Sequence, residues 1–258
     1  SAFVSNLTKR GLKFVNIPTT LLAQADSCIG SKTSINVGRT KNIVGNFYPP
    51  SRVLVCPEFL ETLPIDEVRS GIGEILHFFI FADSPLLEPV MDEYEQLLVD
   101  RRRLQPYIAE SLRIKKSVIE VDEFDRGERN KFNYGHTFGH ALEAITNFEI
   151  RHGQAVTLGM DIANYISVSL GILSPETDLR LHGLLSVNFP AHFLQDLDLD
   201  AYMRLLAQDK KNVDDHLTCI LCEGPGRLVK HKIPLDGETR ALIERYLHEG
   251  IARGGESY

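Results

Sequence analysis

A change of periodicity at Pro64 constrains this chain more than any other feature. Before it, short strand-like runs (Phe14 to Ile17, Arg52 to Cys56) alternate with turns marked by Gly30, Gly38, Pro49-Pro50 and Pro57, and Ala2 to Leu7 reads as a helix. Such alternation suits part of an α/β domain. After Pro64 the apolar residues recur at helical spacing over Ile65 to Phe81, Leu86 to Val99, Pro106 to Val121, Phe138 to Phe148 and His152 to Leu170. Further helices follow, with a hairpin-like pair around Gly224-Pro225-Gly226 (Leu217 to Cys222, Arg227 to Lys230) and a terminal helix near Glu238 to Arg253. The expected organisation is therefore an α/β portion over 1–64 and a mostly helical portion over 65–258.

Bulk properties exclude several classes. At 258 residues, 43% of them hydrophobic, the chain can bury a full core. A net charge of -7 argues against a general nucleic-acid binder. No apolar run reaches membrane-spanning length, and a soluble, cytoplasmic protein is the expectation. The four cysteines are too scattered for a disulfide framework. Cys219 and Cys222 have C-x-x-C spacing but fall in a strand-like run, where residues three apart face opposite sides; they read as buried, small apolar residues.

Chemistry concentrates around three histidines. His136 and His140 lie four apart in a helical pattern, so their imidazoles share one face, and His152 follows closely enough to join them. Imidazoles plus a carboxylate are what a catalytic zinc takes, with one position left open. The carboxylate candidate is Glu74, a single acid in the apolar run Gly71 to Phe81. An isolated carboxylate there is costly, so it calls for a cation, either a metal or Arg69. Two other polar groups stand out. Segment 18–42 gathers small hydroxyls, Gly30, Lys32 and Lys41, a combination able to cradle phosphate. Gly30-Ser31-Lys32-Thr33 lacks the upstream glycine of a P-loop, which disfavours a nucleotide triphosphatase. Lys115, Lys116, Arg129 and Asn133 precede the histidines, and Arg129 and Asn133 are close enough to look into the same pocket; Asp209-Lys210-Lys211-Asn212 is a later basic knot.

Taken in order, these residues resemble the 3-dehydroquinate synthase family of sugar phosphate cyclases. The matching stretches are Arg10-Gly11, Ile17 to Ser27, Gly30-x-Lys32-Thr33, Lys41-Asn42, Glu61 to Pro64, Gly73-Glu74, Arg129-x-x-x-Asn133-x-Gly135-His136-Thr137-Phe138-Gly139-His140-Ala141 and His152-Gly153. The resemblance implies a Rossmann-like NAD-binding domain, here partial, followed by a helical metal-binding domain. It implies zinc or cobalt on Glu74, His136 and His152, with His140 on the substrate side. It assigns NAD contacts to Thr19, Thr20, Asp26, Ser27, Lys32, Lys41 and the turn Phe59-Leu60-Glu61-Thr62. Asp26, Lys32, Asn42, Lys115, Arg129, Asn133 and His140 would line the substrate pocket. One of Lys210 or Lys211, together with Arg10, would meet the substrate phosphate, Arg10 reaching across the interface of a homodimer.

The implied reaction is transient oxidation of a ring hydroxyl by NAD, phosphate elimination, re-reduction, ring opening and aldol closure, as in the conversion of 3-deoxy-arabino-heptulosonate 7-phosphate to 3-dehydroquinate in the shikimate pathway. Lys115 and Arg129 together suit a substrate carboxylate. Two departures matter. The family's lysine three residues after the metal glutamate is His77 here, which leaves room for a cyclase acting on another sugar phosphate, such as sedoheptulose 7-phosphate. The family's glycine-rich dinucleotide loop is also missing, so the functional protein is expected to be longer and this segment to bind NAD poorly. Two further readings stand beside these: a metal-dependent polyol dehydrogenase and a catalytically silent relative.

Overall fold

The computed structural model describes residues 2–37, 40–125, 127–190, 197–208, 216–249 and 251. The first portion carries α1 (Ala2–Leu7), β1 (Val15–Asn16), β2 (Lys32–Val37), β3 (Thr40–Phe47) and β4 (Arg52–Val53). β1 and β4 pair in parallel, Val15 opposite Arg52. β2 and β3 form an antiparallel hairpin, where the sequence reading named no strand. Both the Thr19-Thr20 segment and the Phe59 to Thr62 turn come after the carboxyl ends of the parallel pair, where open α/β sheets bind ligands.

From Pro64 the chain is helical: α2 (Ile65–Ala82), α3 (Leu87–Asp92), α4 (Tyr94–Val99), α5 (Gln105–Ile119), α6 (His136–Ile145), α7 (His152–Ser169), α8 (Pro175–Ser186) and α9 (Leu199–Ala207). The hairpin β5 (His216–Gly224) and β6 (Arg227–Pro234) and the helix α10 (Gly237–His248) complete it. Asp66 and Glu67 in the first turn of α2 complement its dipole, and Ser174, Asp198 and Asp236 cap α8, α9 and α10. The expected Leu86 to Val99 helix is two helices, because Glu93 at φ −94° and ψ 3° leaves the helical path between them. Cys219 and Cys222 are free and buried, as expected, since β5 is covered on both faces. Among the described residues no helix is long and apolar enough to cross a membrane.

α7 runs through the core, buried along nearly all its length, and α2 and α6 lie against it at backbone distance. A Cβ on Gly73 would strike the Gly153 carbonyl, and a Cβ on Gly153 the Ser70 carbonyl, both well inside van der Waals contact. Gly159 and Gly135 meet in the same way where α6 crosses. Only glycine permits approaches this close. The first turn of α7 is secured by the Ser70 hydroxyl, which accepts from the Gly153 N–H at 3.0 Å and so satisfies a free helix-end donor. Replacing Gly153 by alanine is expected to lower unfolding stability by about 3 kcal/mol, at the upper end of overpacking costs, with α2 pushed off α7; chemical denaturation measures it.

Candidate active site

Six elements converge on one cleft of about 340 Å³. α2 contributes Glu74 and His77, one turn apart on one face; α5 contributes Lys115; the 3-10 turn Glu128–Asn133 contributes Arg129 and Asn133; and α6 opens with His136. Asp26 and Ser27 enter from a π-helical turn, Ala23–Ser27, and Lys32 from the start of β2. The glycine crossings set this geometry: Gly73 precedes Glu74, and Gly153 follows His152, the first residue of α7.

Glu74 is 2% exposed, and its Oε1 lies 3.1 Å from His152 Nε2 and 3.5 Å from His136 Nε2. Neither approach has hydrogen-bond geometry; Oε1 is an unpartnered buried oxygen. The other ring nitrogens explain this. His136 Nδ1 faces the Tyr134 carbonyl at 3.1 Å, and His152 Nδ1 faces the Glu143 carboxylate at 3.0 Å. An oxygen with only lone pairs must receive a proton, so each Nδ1 donates and each Nε2 presents a lone pair toward Glu74 in the neutral ring. With both rings neutral, three electron-pair donors face one another, an arrangement that asks for a cation, either a metal ion or a proton on His152. Arg69, the competing partner for Glu74, sits beside Tyr94 instead.

The electrostatics agree. Burial alone would raise the Glu74 carboxyl, but His136 and His152 hold it well below the usual range. Burial opposes a charge on His152, yet the Glu143 and Glu74 carboxylates push it up to about 10. The cluster attracts positive charge strongly enough to reverse the usual effect of burial. His136, His140 and His152 also offer ring nitrogens within 4.8 Å of one another. His140 is the outermost, its side chain 44% exposed, and its Nε2 is 4.0 Å from the Glu143 carboxylate.

His77 behaves differently. Its side chain is 1% exposed, and both ring nitrogens lack a hydrogen-bond partner. Its ring packs edge-on to Phe78, Phe132 and His136, and burial lowers its pKa to about 3. At this position the cleft holds a neutral imidazole.

Lys115 is 7% exposed, its ammonium 2.9 Å from the Asp26 carboxylate and donating to the Asp26 carbonyl at 2.6 Å. Its neighbour Lys116 does point to solvent. Arg129 is buried and donates to the Glu123 carbonyl, Lys32 pairs with Asp125 at 2.5 Å, and Asn133 Nδ2 donates to the Asn130 carbonyl at 2.8 Å.

Other expected site residues fall elsewhere. Segment 18–42 is not one open phosphate loop, because its residues are committed to the π-helical turn and the hairpin; the Thr20 hydroxyl accepts from the Ala23 N–H. Leu60 is fully buried in the core, so only its main chain is available to a ligand; Phe59 is exposed, and Glu61 pairs with Arg102. Arg10, in an exposed turn at φ 64°, is not among the described residues lining the cleft. Lys41 and Asn42 lie in β3 with their side chains outside the described set, and Lys210 and Lys211 lie outside the described residues. The sequence reading missed Glu143. Its signal was its place seven residues after His136 and three after His140, on the histidine face of α6.

Comparison with known proteins identifies the family. Residues 1–70 match the model described as 3-dehydroquinate synthase N-terminal, and residues 71–212 the one described as 3-dehydroquinate synthase C-terminal. The chain belongs to the 3-dehydroquinate synthase family. It is 38% identical to the 3-dehydroquinate synthase of Cereibacter sphaeroides (strain KD131) over 96% of this chain and 69% of that protein. It is 36% identical to that of a Bradyrhizobium species over 96% of this chain and 68% of the relative. Its fold is that of solved sugar phosphate cyclases. A 2-deoxy-scyllo-inosose synthase complexed with carbaglucose-6-phosphate, NAD+ and Co2+ superposes with a TM-score of 0.86 at 26% identity, over 96% of this chain and 70% of that one. The 2-epi-5-epi-valiolone synthase of Streptomyces hygroscopicus, with NAD+ and Zn2+ bound, gives 0.83 at 25%, over 96% and 70%.

Asp26→Asn leaves the Lys115 ammonium buried without its counter-charge, and is expected to destabilise the fold by roughly 1–3 kcal/mol, less than a fully buried pair because Asp26 is partly exposed. Denaturant titration of the variant beside the double variant Asp26→Asn, Lys115→Met isolates the pair.

Proposed function

We propose that this chain is the metal-binding and substrate-binding part of a sugar phosphate cyclase, a 3-dehydroquinate synthase acting on 3-deoxy-arabino-heptulosonate 7-phosphate. The observation that carries the reading is the convergence of Glu74 Oε1 with the lone-pair nitrogens of His136 and His152 in a cleft that also holds Lys115, Arg129 and Lys32. Glu74, His136 and His152 would hold zinc or cobalt, the metals present in the related structures. Residues 1–64 would be the remaining part of the dinucleotide domain, meeting NAD through Thr19, Thr20 and the Phe59 to Thr62 turn.

A metal on Glu74, His136 and His152 would supply Lewis acidity and NAD would supply reversible redox chemistry, so the chain's own task is binding, orientation and proton control. Arg129 presents a planar fork suited to a carboxylate, and Lys115 adds a point charge beside it. Asp26 fixes the position of that ammonium. His140, at the mouth of the metal cluster, is placed to exchange protons with substrate oxygens. Asn133 and Lys32 supply polar contacts along the wall. Buried aromatic rings behind His77 keep water from that side of the cleft.

Supplied with NAD and zinc, the full-length protein is expected to release phosphate from 3-deoxy-arabino-heptulosonate 7-phosphate without net NADH. Net NADH from a polyol would instead establish a dehydrogenase. No turnover by folded, zinc-loaded protein on any sugar phosphate would remove the cyclase reading.

A second reading rests on His77. A neutral imidazole recognises a hydroxyl with one donor and one acceptor, whereas the lysine usual in the family carries a charge, so the cyclised sugar could be another one, such as sedoheptulose 7-phosphate. His77→Lys is expected to change the ratio of kcat/KM between the two sugar phosphates by about tenfold or more, a typical value for one altered polar contact. An unchanged ratio would end this reading.

A further inference from the structure

Beyond the residues that would touch metal or substrate, a buried carboxylate stands behind His152. Glu143 is 4% exposed, and its Oε2 lies 3.0 Å from His152 Nδ1 and 4.0 Å from His140 Nε2. It reaches His152 from α6, while His152 itself begins α7, so the contact spans two helices.

An imidazole can ligate through either nitrogen, and what binds the other nitrogen decides which. For His136 the decision is made by a main-chain oxygen, the Tyr134 carbonyl, which no side-chain substitution removes. For His152 it is made by a side chain. Only an acceptor at Nδ1 keeps the proton there and leaves the Nε2 lone pair aimed at Glu74, 3.1 Å away. Glu143 also brings a second buried negative charge to a cluster that already includes Glu74. Two carboxylates and two neutral imidazoles would balance a divalent cation.

We infer that Glu143 is a positioning residue for the metal. It holds His152 in the ligating tautomer and supplies the second negative charge that retains a divalent cation. This rests on the metal site proposed above, and the experiment separates the two claims.

Zinc affinity of the full-length protein is measured by competition with a chromophoric chelator, with the thermal midpoint of the metal-free protein recorded alongside. His152→Ala tests the site itself: if it leaves zinc affinity unchanged, the metal reading fails whatever Glu143 does. If His152→Ala abolishes binding, Glu143→Ala is expected to weaken zinc by 10- to 100-fold, the usual cost of losing the group behind a ligating histidine. Glu143→Gln keeps an oxygen that accepts from Nδ1 and is expected to recover part of the loss, with the metal-free midpoint near wild type. The inference is overturned if both Glu143 variants bind zinc as tightly as wild type. It is equally overturned if the metal-free midpoint falls while affinity holds, since Glu143 would then be only a tie between α6 and α7.

Discussion

Everything in the cleft depends on how closely α2 can approach the first turn of α7. At Gly73 and Gly153 the two backbones touch with no side chain between them. Ordinary helix packing keeps axes about 8–10 Å apart, a spacing set by the side chains at the contact. Removing those side chains brings Glu74, on one helix, within reach of His152, on the other. The glycines thus act through absence. Each forfeits helix propensity, and in return two residues distant in sequence come within one coordination sphere.

The second organising principle is electrostatic. Burying a carboxylate among phenylalanines and isoleucines is unfavourable unless something positive answers it. Here three electron-pair donors are assembled first, each ring nitrogen oriented by an oxygen behind it. The remaining charges are cross-braced: Lys115 to Asp26, Lys32 to Asp125, Arg129 to a main-chain carbonyl. Such bracing fixes each cation in place ahead of any ligand, so little ordering is required on binding. His77 stands apart from this scheme, with no hydrogen-bond partner for either ring nitrogen among the described residues.

How much of this the sequence revealed follows from the range of each signal. The helices of the second portion were readable because their 3.6-residue pattern is local, and Pro64 marked where α2 begins. The break at Glu93 was not, since its cause is a single backbone bend within an otherwise continuous apolar pattern. The β2–β3 hairpin was hidden because Lys32 to Phe47 mixes polar residues with exposed Ile35, Ile43 and Val44, so no buried face produces an alternation. The histidines and Glu74 were legible as residue types, and the family resemblance ordered them. Glu143 was invisible because its meaning lies entirely across the α6–α7 interface. The burial of Leu60 was hidden for the converse reason: it sits in a turn, where exposure is the default, but its side chain closes the core.

The three donors that face one another come from three helices, α2, α6 and α7. A cation held by all three would be a cross-link as well as a reagent. Its binding energy would then belong partly to folding. Above the dissociation constant, each tenfold increase in free metal would add about 1.4 kcal/mol to the stability of the native state. The same ions that ready the site for chemistry would set the lifetime of the fold, and metal starvation would be felt first as a loosening of the helix core.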